Sequence, residues 1–168
     1  MPTDAVFIRS AGERDLAAVQ ALLVETWHDA YDRIYGRERV AEITAEWHSI
    51  PSLEARLKRP RSEFLLADDG SSLAGMAYAA QTKEACQVVL HQLYVRPAFQ
   101  GRGVGAALLA EIEGSFPEAR SLRLEVEKQN ENAVRFYRNH GFGEVREGAP
   151  GDCASAGMPA LAMEKKLG

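Results

Sequence analysis

The chain has 168 residues, 46% of them hydrophobic and 26% charged, the composition of a globular protein able to bury one substantial core, and a single domain over residues 1–168 is expected. A formal charge of −4 argues against nucleic acid as a partner and suits a cationic small molecule or a peptide amine. No apolar run approaches the ~20 residues of a membrane span and MPTDAVFIRS lacks the apolar stretch of a signal peptide, so no membrane partner and a cytoplasmic location are expected.

Residues 6–9 alternate and read as a short first strand. Ser10 stands three residues before Glu13, a helix-start signal, and Leu16, Val19, Leu22 and Leu23 follow at helical spacing. Trp27, Tyr31 and Tyr35 then recur every four residues beside Glu25, Asp29, Asp32 and Glu38. Such a stripe reads first as core, and second as a wall that attracts an ammonium group through ring faces and carboxylates. Residues 43–57 continue helically with a break expected at Pro51; His48, with no second His or Cys at ligand spacing, reads as a surface residue.

From Phe64 the pattern changes to strands. Residues 64–67 and 73–80 flank Asp68-Asp69-Gly70, a good turn signal, and 81–85 are polar and read as a loop. Cys86 and Cys153 lack metal-ligand spacing and secretory context, so they read as thiols and no metal is expected. Residues 88–96 are rich in Val, Leu and Tyr and are closed by Pro97, which removes a donor and holds Arg96 extended. Gly101, Gly103 and Gly105 alternate with Arg102 and Val104, and Ala106, Ala107, Leu108, Leu109 and Ile112 continue as a helix. The first N–H groups of that helix have no intrahelical partners and sit at the positive end of its dipole, so the expected ligand is a phosphate or pyrophosphate.

After a break at Pro117, Leu122, Leu124 and Val126 alternate with Arg123, Glu125 and Glu127 as a strand. Asn130 reads as an N-cap, Ala133, Val134, Phe136 and Tyr137 as helical, and Gly141 as the stop. Residues 142–146 and 161–166 read as two last strands, and 147–159 as a small-residue loop. The whole is an α/β fold with a mixed, centrally parallel sheet.

Three known arrangements compete for the glycine turn. A P-loop needs Gly-Lys-Ser/Thr at the helix start, whereas this helix opens Gly105-Ala106-Ala107. A dinucleotide fingerprint is met by Gly101, Gly103 and Ala106 with Glu125 about 20 residues later, but belongs near the start of a doubly wound sheet, and this turn comes late in the chain. Third, Gln100-Gly101-Arg102-Gly103-Val104-Gly105 resembles the [QR]-x-x-G-x-[GA] segment that holds the acetyl-CoA pyrophosphate in the GNAT superfamily of N-acetyltransferases. LYVRP ahead of it resembles that family's preceding strand. Downstream, LRLEVEKQNENAVRFYRNHGF resembles the family's second segment, a strand followed by N-x-x-A-h-x-F-Y and Gly-Phe. Together the two segments cover roughly residues 88 to 142.

The resemblance implies a GNAT-like twisted mixed sheet with splayed central strands, flanked by helices, that acetylates a primary amine of a small molecule or peptide by direct attack in a ternary complex. It implies that Leu93 and Val95 offer backbone groups to the pantetheine of acetyl-CoA, that Gln100, Gly101, Gly103, Val104, Gly105 and Ala106 hold the pyrophosphate, and that Arg102 adds charge. A backbone N–H near Leu93 or Tyr94 would meet the oxyanion. Tyr137 matches the family tyrosine that protonates the leaving thiolate. Asn130 matches the family Asn that caps its helix and contacts the cofactor arm, and Asn132 shares that task. For the base, Glu125 matches a strand carboxylate used by some relatives and His91 lies close to where others place one; direct proton loss to water is the third route. A non-catalytic acyl-CoA-binding module is the alternative reading. Antibiotic, polyamine, amino acid and peptide N-terminus all stay open as acceptors, as does a homodimer.

Overall fold

The computed structural model describes residues 5–83, 86–145 and 160–167. In chain order these form β1 (Phe7–Ser10), α1 (Leu16–Tyr35), α2 (Arg37–Trp47), α3 (Ile50–Lys58), β2 (Ser62–Asp68), β3 (Leu73–Gln81), β4 (Gln87–Val95), α4 (Val104–Ser115), β5 (Ser121–Glu127), α5 (Glu131–Asn139), β6 (Gly143–Glu144) and β7 (Ala160–Lys166). The strands make one seven-stranded sheet in the order β1-β2-β3-β4-β5-β7-β6. Every neighbouring pair is antiparallel except β4 and β5, so the sheet is mixed and parallel only at its centre.

The sheet is covered on both faces. Leu108, Leu109 and Ile112 of α4 and Val134 of α5 pack on Ala67, Ala77, Leu122 and Leu124. On the other face Val19 and Leu23 of α1 and Leu53 of α3 pack on Leu66, Met76 and Tyr78. Burying each such Leu or Met is worth about 1.5–3 kcal/mol, which is what holds helices of modest propensity against the strands. Gly75 sets how closely the layers approach, since a Cβ there would lie 2.7 Å from the Tyr94 carbonyl and 3.2 Å from Leu108 Cδ1.

Two irregularities shape the centre. β4 and β5 pair only from Gln87 with Ser121 to Leu90 with Leu124; beyond that β4 follows β3 to Val95 and β5 follows β7 to Glu127, so a wedge opens between them. In addition Tyr78 faces Gln92 while Ala79 faces Leu90, which leaves His91 as a bulge. The extra residue flips the strand: Val88 and Leu90 lie in the core under α4, and so do Leu93 and Val95 after the bulge.

Several local expectations are corrected. α1 is entered through a 3₁₀ turn at Glu13–Asp15 capped by Gly12, whose N–H donates to Asp15 Oδ2 at 2.8 Å, rather than by a Ser10 and Glu13 pair; Ser10 closes β1, and Asp15 is drawn in because Arg9 donates to both its oxygens. The helix expected to break at Pro51 breaks earlier. Pro51 lies in the first turn of α3, where its missing N–H is no loss, and Ser49 accepts from Ser52 N at 3.3 Å. His48, expected at the surface, is 1% exposed because it sits in the joint between α2 and α3. Of the strand expected over 142–146, the described residues show Gly143–Glu144, and residue 146 lies outside them. Cys86 is an exposed free thiol, whereas Cys153 and the loop expected over 147–159 lie outside the described residues. No helix among the described residues is long and apolar enough to cross a membrane.

Candidate active site

At the end of β4, Gly101 (φ 78°) and Gly103 (φ 82°) take the left-handed conformation that only glycine adopts without strain, turning the chain into α4. The first intrahelical bond runs from Ala107 N to Gly103 O at 3.0 Å, and no side chain caps the helix. The amides of residues 103–106 therefore converge on one point at the positive end of the dipole. Gln100 Nε2 donates to Val95 O at 3.1 Å, and the Arg102 guanidinium stands 5.6 Å over the Phe99 ring.

From this loop a cavity of about 840 Å³ runs along the wedge to the wall made by α1 and α2. It is lined by His91, Leu93, Tyr94, Val95, Gln100, Gly101, Gly103, Val104, Gly105, Ala106, Glu125, Asn130, Asn132 and Tyr137, so of the residues that the family resemblance implied only Arg102 is not in its lining. Position along it differs. Tyr137 is buried beside Phe136 and Phe142, at ring distances of 5.3 and 5.5 Å; burial, and secondarily the nearby Tyr31, push its phenol well above the usual range, so it keeps its proton. Asn130 caps α5 by accepting from Ala133 N at 3.3 Å, and its Nδ2 donates to the Tyr31 hydroxyl at 3.3 Å. Asn132 is exposed and accepts from Arg135 at 3.2 Å. Glu125 is half-buried, and His91, on its bulge, is exposed with its ring 5.6 Å from Tyr78.

The far end is built by residues whose place the sequence left open or misjudged. Trp27 and Tyr31 are 3% and 4% exposed and still line the cavity, so these two rings of the aromatic stripe are core and wall at once, whereas Tyr35 is half-buried and outside the lining. Trp27 contacts Tyr31 at 4.6 Å, Trp47 at 5.5 Å and His48 at 5.6 Å. Glu127, placed by its alternation on a strand face, is wholly buried: Tyr35 donates to its Oε2 and Gln129 N donates to Oε1 at 3.0 Å. The spacing of Tyr31 and Tyr35, four residues apart on one helix face, was the available signal that both reach the turn after β5. His48 carries no such signal. Burial, and secondarily Arg56, bring its imidazole down to about 3, so it is neutral.

The glycine turn follows the fourth strand of a mixed sheet, not the first strand of a doubly wound one, which sets the dinucleotide reading aside. A wedge between central parallel strands, with bare helix amides at its mouth and a protonated phenol along it, defines a transferase of the GNAT type. Residues 31–167 match the acetyltransferase (GNAT) domain, and the chain belongs to that family of acetyl-CoA-dependent N-acetyltransferases. It is 28% identical over 141 residues to a spermidine N(1)-acetyltransferase of Thermoplasma acidophilum, covering 80% of this chain and 86% of that protein. It is 33% identical over 91 residues to the N-alpha-acetyltransferase RimI of Mycobacterium tuberculosis, covering 53% of this chain and 57% of that protein, less than two thirds of its length. The crystal structure of the PaiA N-acetyltransferase of Thermoplasma acidophilum in complex with coenzyme A superposes with a TM-score of 0.86 at 25% identity, over 97% of this chain and 99% of that one.

Proposed function

We propose that the protein transfers the acetyl group of acetyl-CoA directly to a primary amine of a small molecule or peptide bound in the same cavity. The observation that carries this is continuity: one cavity joins the glycine loop, the Tyr137 phenol and a wall of rings and carboxylates. The loop suits a diphosphate, because the left-handed Gly101 and Gly103 turn the chain into α4 with no side chain hydrogen-bonded to cap the amides of residues 103–106. Leu93 and Val95 line the opened edge of β4, where strand hydrogen bonding to β5 has ceased, and offer main-chain groups to an amide-bearing arm. Gln100 occupies the Val95 carbonyl and must yield it to such an arm.

Acetyl-CoA supplies the activated acetyl group, and coenzyme A leaves as the thiolate. Tyr137 holds a proton at Oη that it can give to that sulfur, and its burial keeps the phenol from ionising first. Glu125 and His91, on opposite edges of the wedge, are the groups that can accept the proton of the incoming ammonium, directly or through water. Asn130 holds the start of α5, and hence Tyr137, in place, with Tyr31 bracing it from α1. The two relatives named for spermidine and for α-amines both point to a primary amine as acceptor. The test is thiol release from acetyl-CoA across a panel of polyamines, amino acids, peptides and aminoglycosides. Saturable release with at least one primary amine is expected; tight coenzyme binding with no release on any amine would overturn the proposal.

A further inference from the structure

Two buried ring nitrogens stand at the helical end of the cavity. Trp27 Nε1 and His48 Nε2 are buried and, among the described residues, neither has a hydrogen-bond partner. The two rings are 5.6 Å apart and both residues line the cavity. An indole nitrogen can only donate. His48 donates from Nε2 because of what holds its other nitrogen. Arg56 Nη1 donates to Gln92 Oε1 at 2.9 Å, which fixes the orientation of that amide and turns its NH₂ toward His48 Nδ1 at 3.4 Å. An amide NH₂ offers no lone pair, so Nδ1 accepts and the imidazole proton lies on Nε2; the neighbouring Trp47 carbonyl, the one acceptor that would draw a proton to Nδ1, is already taken by Ser52 Oγ and Arg56 Nη2, each at 2.8 Å. Arg56 is itself pinned by donating to the Trp47 carbonyl at 2.8 Å.

Buried donors left unmet are a standing penalty, and proteins rarely keep two in contact without a use. A ligand oxygen relieves it; an ammonium group, which brings only more donors, does not. The fixed charge of Arg56 behind Gln92 works in the same direction, attracting an oxygen dipole or anion and repelling a second ammonium. We propose that His48 Nε2–H and Trp27 Nε1–H bind a carbonyl or carboxylate oxygen carried next to the reacting amine, so that the enzyme selects amino-carbonyl compounds over amines bearing only further ammonium groups. Arg56 and Gln92 are positioning residues that set the histidine tautomer. This rests on the amine acetylation proposed above.

The experiment measures kcat/KM for thiol release with leucinamide, leucine, 3-methylbutylamine and spermidine, in the wild type and in Trp27→Phe and His48→Phe. The ratio of an oxygen-bearing amine to 3-methylbutylamine is compared between proteins, so that differences in amine basicity cancel. That ratio is expected to fall about five- to tenfold in each variant, as the loss of one hydrogen bond implies; a fall for leucinamide identifies a carbonyl, and a fall for leucine a carboxylate. Ratios equal in wild type and variants would overturn the inference while leaving amine acetylation intact, whereas no thiol release with any amine would overturn both. Should the variants fail to fold, ¹⁵N-resolved NMR of the wild type decides: the His48 proton is expected on Nε2, and the Trp27 indole N–H is expected to shift with leucinamide but not with 3-methylbutylamine. A proton on Nδ1, or an unmoved indole signal at saturating leucinamide, would overturn the assignment.

Discussion

At its glycine end the cavity offers main-chain amides from one short stretch, residues 103–106; at its helical end it offers side chains from α1, α2, β4 and β5. The first kind of site needs only a turn that glycine permits and a helix to follow, and any diphosphate satisfies it. The second kind is assembled by long-range packing, with Tyr35 and Glu127 separated by 92 residues and His48 and Gln92 by 44. Under the proposed function a common coenzyme and a particular acceptor would meet walls built by different physics, and substitutions should separate the two.

The largest effect is expected between them, at Tyr137. Tyr137→Phe removes the proton without changing the ring, so kcat should fall about 100-fold, a typical share for general acid catalysis, while coenzyme affinity stays within about twofold. Wild-type turnover in steady-state assays would end its acid role. Next comes the glycine end. A Cβ at Gly103 meets nothing within 4 Å, so the obstacle to Gly103→Val is the left-handed backbone rather than crowding by the protein. A β-branched residue there is strained by about 1–3 kcal/mol, and relief comes by swinging the amides away from their common point. Coenzyme affinity measured by calorimetry should drop about tenfold or more with the amine KM little changed. Undiminished affinity would mean that these amides do not hold the diphosphate.

A smaller effect is expected at the helical end. Tyr35→Phe removes the donor to the buried Glu127 carboxylate and should cost about 1–3 kcal/mol, read as a fall of about 2–4 °C in Tm per kcal/mol. Here the amine KM should rise and the acetyl-CoA KM should not, the reverse of Gly103→Val. If both constants and Tm are unmoved, the bond does not hold the wall.

The same contrast explains what could be read in advance. The strand, turn and helix around Gly103 are local, and so were legible; the family motif added Tyr137 and Asn130, and of the residues that the resemblance implied all but Arg102 line the cavity. The wedge was expected only as the resemblance implied it, and the bulge at His91 was not visible, because a bulge is a property of two strands in register. His48 lies between Trp47 and Ser49 at a helix end, where nothing nearby announces burial; the packing of α1 and the reach of Gln92 decide it. Glu127 alternates like a solvated residue, and what bonds it inside are Tyr35, from the first helix, and the Gln129 amide of the following turn.

The smallest effect is one of pH, and it too belongs to the helical end. His48 is held to about 3 by burial and by Arg56, against 6.5 in an unfolded chain. Between those values the unfolded state binds a proton that the folded state refuses, so folding stability falls as pH falls through that window. From pH 6.5 to 5.5 this one group should remove about 1 kcal/mol, as the linkage relation gives for a residue free to protonate only when unfolded. The wild type should therefore lose about that much more than His48→Phe in denaturant titrations at the two pH values. Other acid-sensitive groups, such as the Asp15 carboxylate that Arg9 holds below its usual range, are common to both proteins and cancel. A wild-type loss equal to that of the variant would place the imidazole in contact with water, and the buried wall of the acceptor end would have to be redrawn.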